Sequence, residues 1–196
     1  MRNGVRARQR EQTRQTLLLE SRRLFSALGY ACVGLSEIGR AAGVTKGALY
    51  HHFGSKAELF RAVLEEVQQE VAAQVAAAAD ARPHAWDQLV SGCRAFLSAS
   101  TDPALQRIML VDGPAVLGWR EWRAMNEATS GRHLAEALTV LMAEGTIPAQ
   151  PVAPLTHLLS GAMNEAVLWL AASEGPADME DTWRALARML EALRVQ

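Results

Sequence analysis

Between Val44 and Leu59 the chain reads VTKGALYHHFGSKAEL, and this stretch holds the side chains best suited to chemistry with another molecule. Leu49 and Phe53 stand four residues apart, so on a helix they share a face that must turn inward to be buried. Thr45, Lys46, Gly47, Tyr50, His51 and His52 are left for the outer side. A lysine, a phenol, two imidazoles and a glycine make a poor packing surface but suit the groove of a nucleic-acid duplex. Lysine and the tyrosine hydroxyl reach phosphate oxygens, and Gly47 lets the backbone come close. His51 and His52 are adjacent, so their side chains diverge by ~100° around a helix and cannot readily chelate one ion. No metal site is expected.

Local signals place this stretch on helices. Leu35, Ile38 and Ala42 have helical spacing, which predicts a helix from about Leu35 to Ala42, ended by the turn Ala41-Ala42-Gly43. Thr45 is positioned as N-cap of the next helix. Ser55 is positioned to cap a fourth, with Glu58 three residues on to complete a capping box. Before them, Leu17, Leu24, Phe25 and Leu28 form one stripe of a first helix, about Arg10 to Leu28, that ends at Gly29. Arg6, Arg8, Arg10 and Arg14 precede or open that stripe and read as a mobile arm drawn to phosphates.

The run TKGALYHHFGSKAEL, with LFSALGY before it and SEIGRAAGV between, closely resembles the DNA-binding domain of the TetR-type (tetracycline repressor-like) family of bacterial transcriptional regulators. Several separate segments agree in order and spacing from roughly Arg10 to Val67; past Val67 the likeness is to an all-helical domain of the expected length. The resemblance implies a dimer in which two recognition helices lie ~34 Å apart on a near-palindromic operator. For the matching positions it implies that Thr45, Lys46, Gly47 and His51 meet base edges or the adjacent phosphates, and that Tyr50, His52 and Lys56 chiefly meet backbone oxygens. The family usually places Ser or Thr at the cap of the second helix. Here that position is Gly34, which lacks the hydroxyl that could touch a phosphate.

Charge divides the chain in the same way. Met1 to Arg61 holds 11 Lys/Arg against 4 Asp/Glu, a net of +7, while the remainder holds 9 against 17, a net of −8. A basic first third suits phosphate binding by counterion release, and an acidic remainder is repelled by DNA. With 196 residues, 49% of them hydrophobic, the chain is long enough for substantial cores. The reading is an all-α protein of about nine helices, with an N-terminal three-helix domain over residues 1–60, its helix-turn-helix at about 34–53, and a larger helical domain over 61–196. The basic N-terminus is not followed by an apolar run of the signal-peptide kind, and no stretch approaches a transmembrane span. Cys32 and Cys93 have no metal-ligand spacing and read as reduced, packed thiols of a cytoplasmic protein.

Leu59, Val63, Val67, Val71 and Val75 repeat every four residues, so the fourth helix should run on through VAAQVAAAAD to near Asp80 and serve both domains. Further helices are expected at about His84–Ala99, from Pro103 behind an Asp102 cap to Val111, and at about Trp119–Glu144, with an irregular corner in DGPAVLGWREW. The last two, about Pro154–Ser173 and Ala177–Val195, are joined by Glu174-Gly175-Pro176. Their seams, Leu155, Leu159, Ala162, Ala166 and Trp169 on one and Met179, Trp183, Leu186 and Leu190 on the other, suit a four-helix bundle with two helices from each of two chains. The family resemblance points to the same homodimer, and it also implies a pocket for a small organic effector. Trp86, Phe96, Met109, Trp119, Trp122 and Met125 are the apolar candidates for its wall, with His133 and Asn164 as polar contacts. No nucleotide loop, nucleophile elbow or zinc-hydrolase helix is present, so an enzyme is not expected, and no cofactor beyond the effector is expected. The function read from the sequence is a DNA-binding regulator, a repressor released by an apolar or amphipathic effector. The rival is a DNA-binding adaptor or architectural protein without an effector.

Overall fold

The computed structural model describes residues 2–173, 175 and 177–195, with side chains from Val5 onward. Among these residues the chain is all helical. The elements are α1 (Arg2–Leu28), α2 (Leu35–Ala41), α3 (Lys46–Phe53), α4 (Lys56–Asp80), α5 (Ala85–Ser100), α6 (Pro103–Gln106), α7 (Gly113–Leu117), α8 (Trp119–Asn126), α9 (Arg132–Ala143), α10 (Val152–Ala171) and α11 (Asp178–Glu191). A π-helical turn, Arg107–Asp112, fuses α6 to α7, and another, Glu127–Gly131, fuses α8 to α9. Counted as continuous rods the described residues therefore make nine helices. Glu174 and Pro176 of the expected joint before α11 lie outside the described residues.

α4 is the axis of the molecule. Leu59, Phe60, Val63, Leu64, Val67, Val71 and Val75 are buried along its length. It packs on α1 near its start and on α5 toward its end, and its 25 residues span ~37 Å at 1.5 Å per residue. The line at residues 60/61 falls inside this helix, so both halves share it. Asp102 caps α6 as expected, its Oδ1 accepting from the N–H of Ala104 at 2.8 Å. The corner DGPAVLGWREW is broken at Gly118. Buried Trp122 docks on Gly113, and its indole N–H donates to the carbonyl of Met109 at 2.6 Å, within the first π turn. No helix among the described residues is long and apolar enough to cross a membrane.

Two expectations are corrected here. The basic segment before Leu17 is helical from Arg2 rather than an arm. Arg, Gln and Glu are good helix formers, and a docked helix propagates outward from its anchored end. Cys32 is exposed, whereas Cys93 is buried as expected, and burial pushes its thiol up to about 12.

Candidate DNA interface and effector cavity

Backbone hydrogen bonds hold α3 at its angle to α2. The N–H of Val44 donates to the carbonyl of Gly39 at 2.8 Å and that of Gly43 to Arg40 at 3.3 Å, the paired closure of a Schellman motif. Gly43 has φ +67° there, a conformation that side-chain-bearing residues rarely adopt. Gly39 is required for a different reason: a Cβ on it would stand 3.0 Å from the Val44 carbonyl oxygen. At the start of α3 the Thr45 hydroxyl accepts from the N–H of Ala48 at 3.2 Å, and Ser55 does the same for Glu58 at 3.0 Å at the start of α4. The capping box is only half made, because the Ser55 N–H goes to the Phe53 carbonyl instead of the Glu58 carboxylate.

Leu49 and Phe53 are buried as expected, and Thr45, Lys46, Gly47, Tyr50 and His51 form an exposed face. Lys46 Nζ lies 5.9 Å from the centroid of the Tyr50 ring one turn on. His52 is half-buried. Burial is the largest cause holding its imidazole below the ordinary value, and Arg10, His51 and Arg14 add to it against Glu11. Those arginines extend the positive surface from α3 onto α1, where the Arg14 guanidinium sits 5.0 Å over the Phe53 ring.

Lys56 has a different place from the one expected. Its ammonium donates to the carbonyl of Tyr30 at 2.6 Å and stands 4.0 Å over that residue's ring, and burial pulls it below the ordinary lysine value against Cys32 and Asp112. In this position it clamps the α1–α2 turn. The Tyr30 ring packs against Phe25 and Phe60, with centroids at 5.6 and 5.1 Å. The turn is also tied to the first π turn. The Tyr30 N–H donates to Asp112 Oδ2 at 2.9 Å, and Arg107 donates to the carbonyl of Ala27 at 3.1 Å.

Farther along α4 a cavity of ≈ 330 Å³ opens. Val75, Ala76, Ala79 and Asp80 of α4 form one wall, and Ala85, Gln88, Leu89, Gly92, Cys93 and Phe96 of α5 a second. The rest comes from Asn126, from Ser130 and Gly131 of the second π turn, from α9 through His133, Leu134, Glu136, Ala137 and Val140, and from Ser160 and Met163 of α10. Six of these wall residues, Ala76, Ala79, Ala85, Gly92, Gly131 and Ala137, are alanine or glycine. In the π turn Thr129 leaves helical geometry (φ −118°, ψ −109°), and its hydroxyl donates to the carbonyls of Met125 and Asn126.

Of the eight residues expected in the pocket, Phe96 and His133 line it. Met109 and Trp122 are buried against each other elsewhere in the core. Trp119 is largely exposed, its ring 4.9 Å from that of Trp122. Trp86 lies beneath the Arg194 guanidinium, 5.1 Å from its ring. Met125 packs on the core at half burial, and Asn164 is buried with its amide oxygen unpaired among the described residues. Aromatic and methionine residues were the signal followed; the small residues were the one that marked the void.

The dimer seam also resolves differently. Leu155, Leu159, Trp183, Leu186 and Leu190 are buried in the chain's own core, while Ala162, Ala166 and Met179 are half-buried. Trp169 of the expected seam is 53% exposed, and Leu158 at 71% and Met189 at 53% are further open apolar side chains on the same two helices. The regular apolar stripe faces inward because burial within one chain demands the most continuous stripe.

Residues 17–63 match the family described as bacterial regulatory proteins, tetR family, and residues 86–193 match the tetracyclin repressor-like C-terminal domain. The chain belongs to the TetR family. It is 30% identical over 150 residues to the transposon Tn10 TetC protein of Escherichia coli, covering 76% of this chain and 75% of that one. Over 55 residues it is 47% identical to the HTH-type transcriptional regulator AcrR of Shigella flexneri, a match to 28% of this chain and 26% of that protein. A crystal structure of a TetR-family regulator from Pectobacterium atrosepticum superposes with TM-score 0.78 at 34% identity, over 96% of this chain and 97% of that one. This TetR-family protein is thus an all-helical DNA-binding transcriptional regulator of the helix-turn-helix class, and the family is one of regulators rather than enzymes.

Proposed function

We propose that this TetR-family protein is a repressor that binds a palindromic operator as a homodimer and is released by a small organic effector in the cavity between α4, α5, α9 and α10. The observation that carries the reading is α4 itself. It begins two residues after the exposed reading helix ends, at capped Ser55, and its far end supplies four residues of the cavity wall. A ligand that tilts the far end moves α3 at the near end, and with it the spacing of two reading helices on successive grooves. The clamp of Lys56, Tyr30, Asp112 and Arg107 transmits the same movement to α1 and the α2 turn. Two copies meet through the apolar face that Leu158, Trp169 and Met189 leave open.

On DNA, Thr45, Lys46, Gly47 and His51 face base edges, while Tyr50 and His52 donate to phosphates, joined by Arg10 and Arg14. An architectural protein without an effector has no use for a cavity of ≈ 330 Å³ walled by five segments, so the effector reading is preferred. For linkage the effector must bind the DNA-free form better, and a coupling of about 1–3 kcal/mol weakens operator binding roughly 5- to 150-fold. The test is operator affinity, on a fragment selected from the encoding genome, with and without a ligand found by thermal-shift screening. A ligand that saturates the cavity and leaves that affinity unchanged overturns the reading.

A further inference from the structure

The charges around the cavity say more than its size does. Its titratable wall residues are Asp80, His133, Glu136 and the Cys93 thiol, and no lysine or arginine lines it. Cys93 is uncharged near neutral pH, its thiol being raised to about 12 by burial. The one basic group in the wall is His133, whose Nδ1 lies 3.7 Å from Glu136 Oε2, so the wall carries a net −2 with that imidazole neutral and still −1 with it protonated. Asp80 and Glu136 are exposed, which places both carboxylates at the mouth. Leu89, Phe96 and Met163 are buried and give the interior an apolar, partly aromatic lining. Deep in the wall, buried Asn126 donates to the Ser160 hydroxyl over a long 3.4 Å, a weak bond that leaves hydrogen-bonding capacity for a polar atom on a ligand.

We propose that the cavity takes a hydrophobic organic cation, an amine or ammonium on an aromatic or alkyl body, and discriminates against carboxylates. The inference rests on the reading of the cavity as the effector site and adds the charge of the occupant. A cationic head at the mouth meets Asp80 and Glu136 while the body enters between Leu89, Phe96 and Met163. Any part of the charge that reaches the Phe96 ring is attracted by its π face. A carboxylate of the same body finds two carboxylates at the mouth and no lysine or arginine to pair with inside, and an unpaired anion is expensive to desolvate. The net −8 from Ala62 onward acts in the same direction at long range.

The experiment uses three probes that share one body, 4-phenylbutylamine, 4-phenylbutanol and 4-phenylbutyrate, titrated calorimetrically into the full chain. Exposed ion pairs contribute a few tenths to about 1 kcal/mol each, so the amine should bind roughly three- to tenfold tighter than the alcohol, and the butyrate weakest. Added salt should narrow the spread. The Asp80→Asn/Glu136→Gln double variant, altered only at exposed wall positions, should bind amine and alcohol alike. An alcohol or butyrate that equals or exceeds the amine overturns the charge inference, as does a preference for the amine that survives in the double variant. Ala137→Trp, which fills the cavity, should abolish binding of all three. If none of the probes binds the unaltered chain, or if binding persists in Ala137→Trp, the cavity is not the effector site and both readings fall together.

Discussion

The reading helix and the cavity are built on opposite principles. On α3 the functional groups are outward side chains, held by short-range devices: a Schellman turn at Gly43, a hydroxyl cap from Thr45 and two buried anchors, Leu49 and Phe53. In the cavity, the proposed effector site, the defining feature is missing volume, set by where the backbones of α4, α5, α9 and α10 stop approaching one another. The first depends on which atoms are present, the second on which are absent. Substitutions near α3 should therefore change binding with little loss of stability, whereas substitutions around the second half should divide sharply between those in the core and those on its open faces.

The largest expected effect tests that division. Leu190→Asp buries a charge at a fully enclosed site and should destabilise the fold by about 4 kcal/mol or more. Leu158→Asp, on the same pair of helices but 71% exposed, should leave the monomer folded and dissociate the dimer. Thermal melting and sedimentation separate the two; a dimer that survives Leu158→Asp moves the interface elsewhere. Next come the two lysines. Lys46→Ala should weaken operator binding by about 1–3 kcal/mol, change preference among operator sequences and reduce the salt slope by about 1, with melting unchanged. Lys56→Met should instead lower stability by about 1–2 kcal/mol, because it removes a charge-assisted hydrogen bond and a ring contact, while the salt slope stays nearly constant. A full unit off the slope in Lys56→Met would return that residue to the phosphate contacts.

Thr45→Ala removes the cap of α3 and should cost about 1 kcal/mol, visible as faster amide exchange at Ala48. The smallest effect is that of pH at His52. Its folded pKa lies below the unfolded value of 6.5, so the stability tied to its neutral state is fully present above that value and lost as pH falls through the folded pKa. DNA binding has the reverse sign. A phosphate favours the imidazolium, so affinity should rise as the pH drops through the same window, with proton uptake on binding. The His52→Gln variant should lack that part of the pH dependence; an unchanged profile removes His52 from the phosphate contacts.

Much of the first 80 residues was legible in the sequence because its signals are local. The caps at Thr45 and Ser55, the turn at Gly43, the anchors at Leu49 and Phe53 and the four-residue rhythm of α4 each involve residues within one or two helical turns of one another. The Lys56 clamp was not legible because its partner, the carbonyl of Tyr30, is 26 residues away. Of the aromatic candidates for the pocket Phe96 lines it, but the three tryptophans do not, for a related reason: Trp122 satisfies its N–H on Met109 and becomes core, and periodicity does not distinguish a ring that lines a void from one that fills it.

By itself, then, the sequence determined the helical class, the reading helix and its exposed groups, the charge division and the length of α4, since helix propensity, capping and amphipathic period are properties of neighbouring residues. The tertiary structure alone decided that Leu190 and Trp183 face inward while Leu158 and Met189 face out, that Lys56 clamps the α1–α2 turn, and that a cavity opens where Ala79, Gly92 and Ala137 face one another. Each of these is a relation between helices that no local rule specifies, because burial is shared among all the faces that could satisfy it and only the packing of the whole chain selects one.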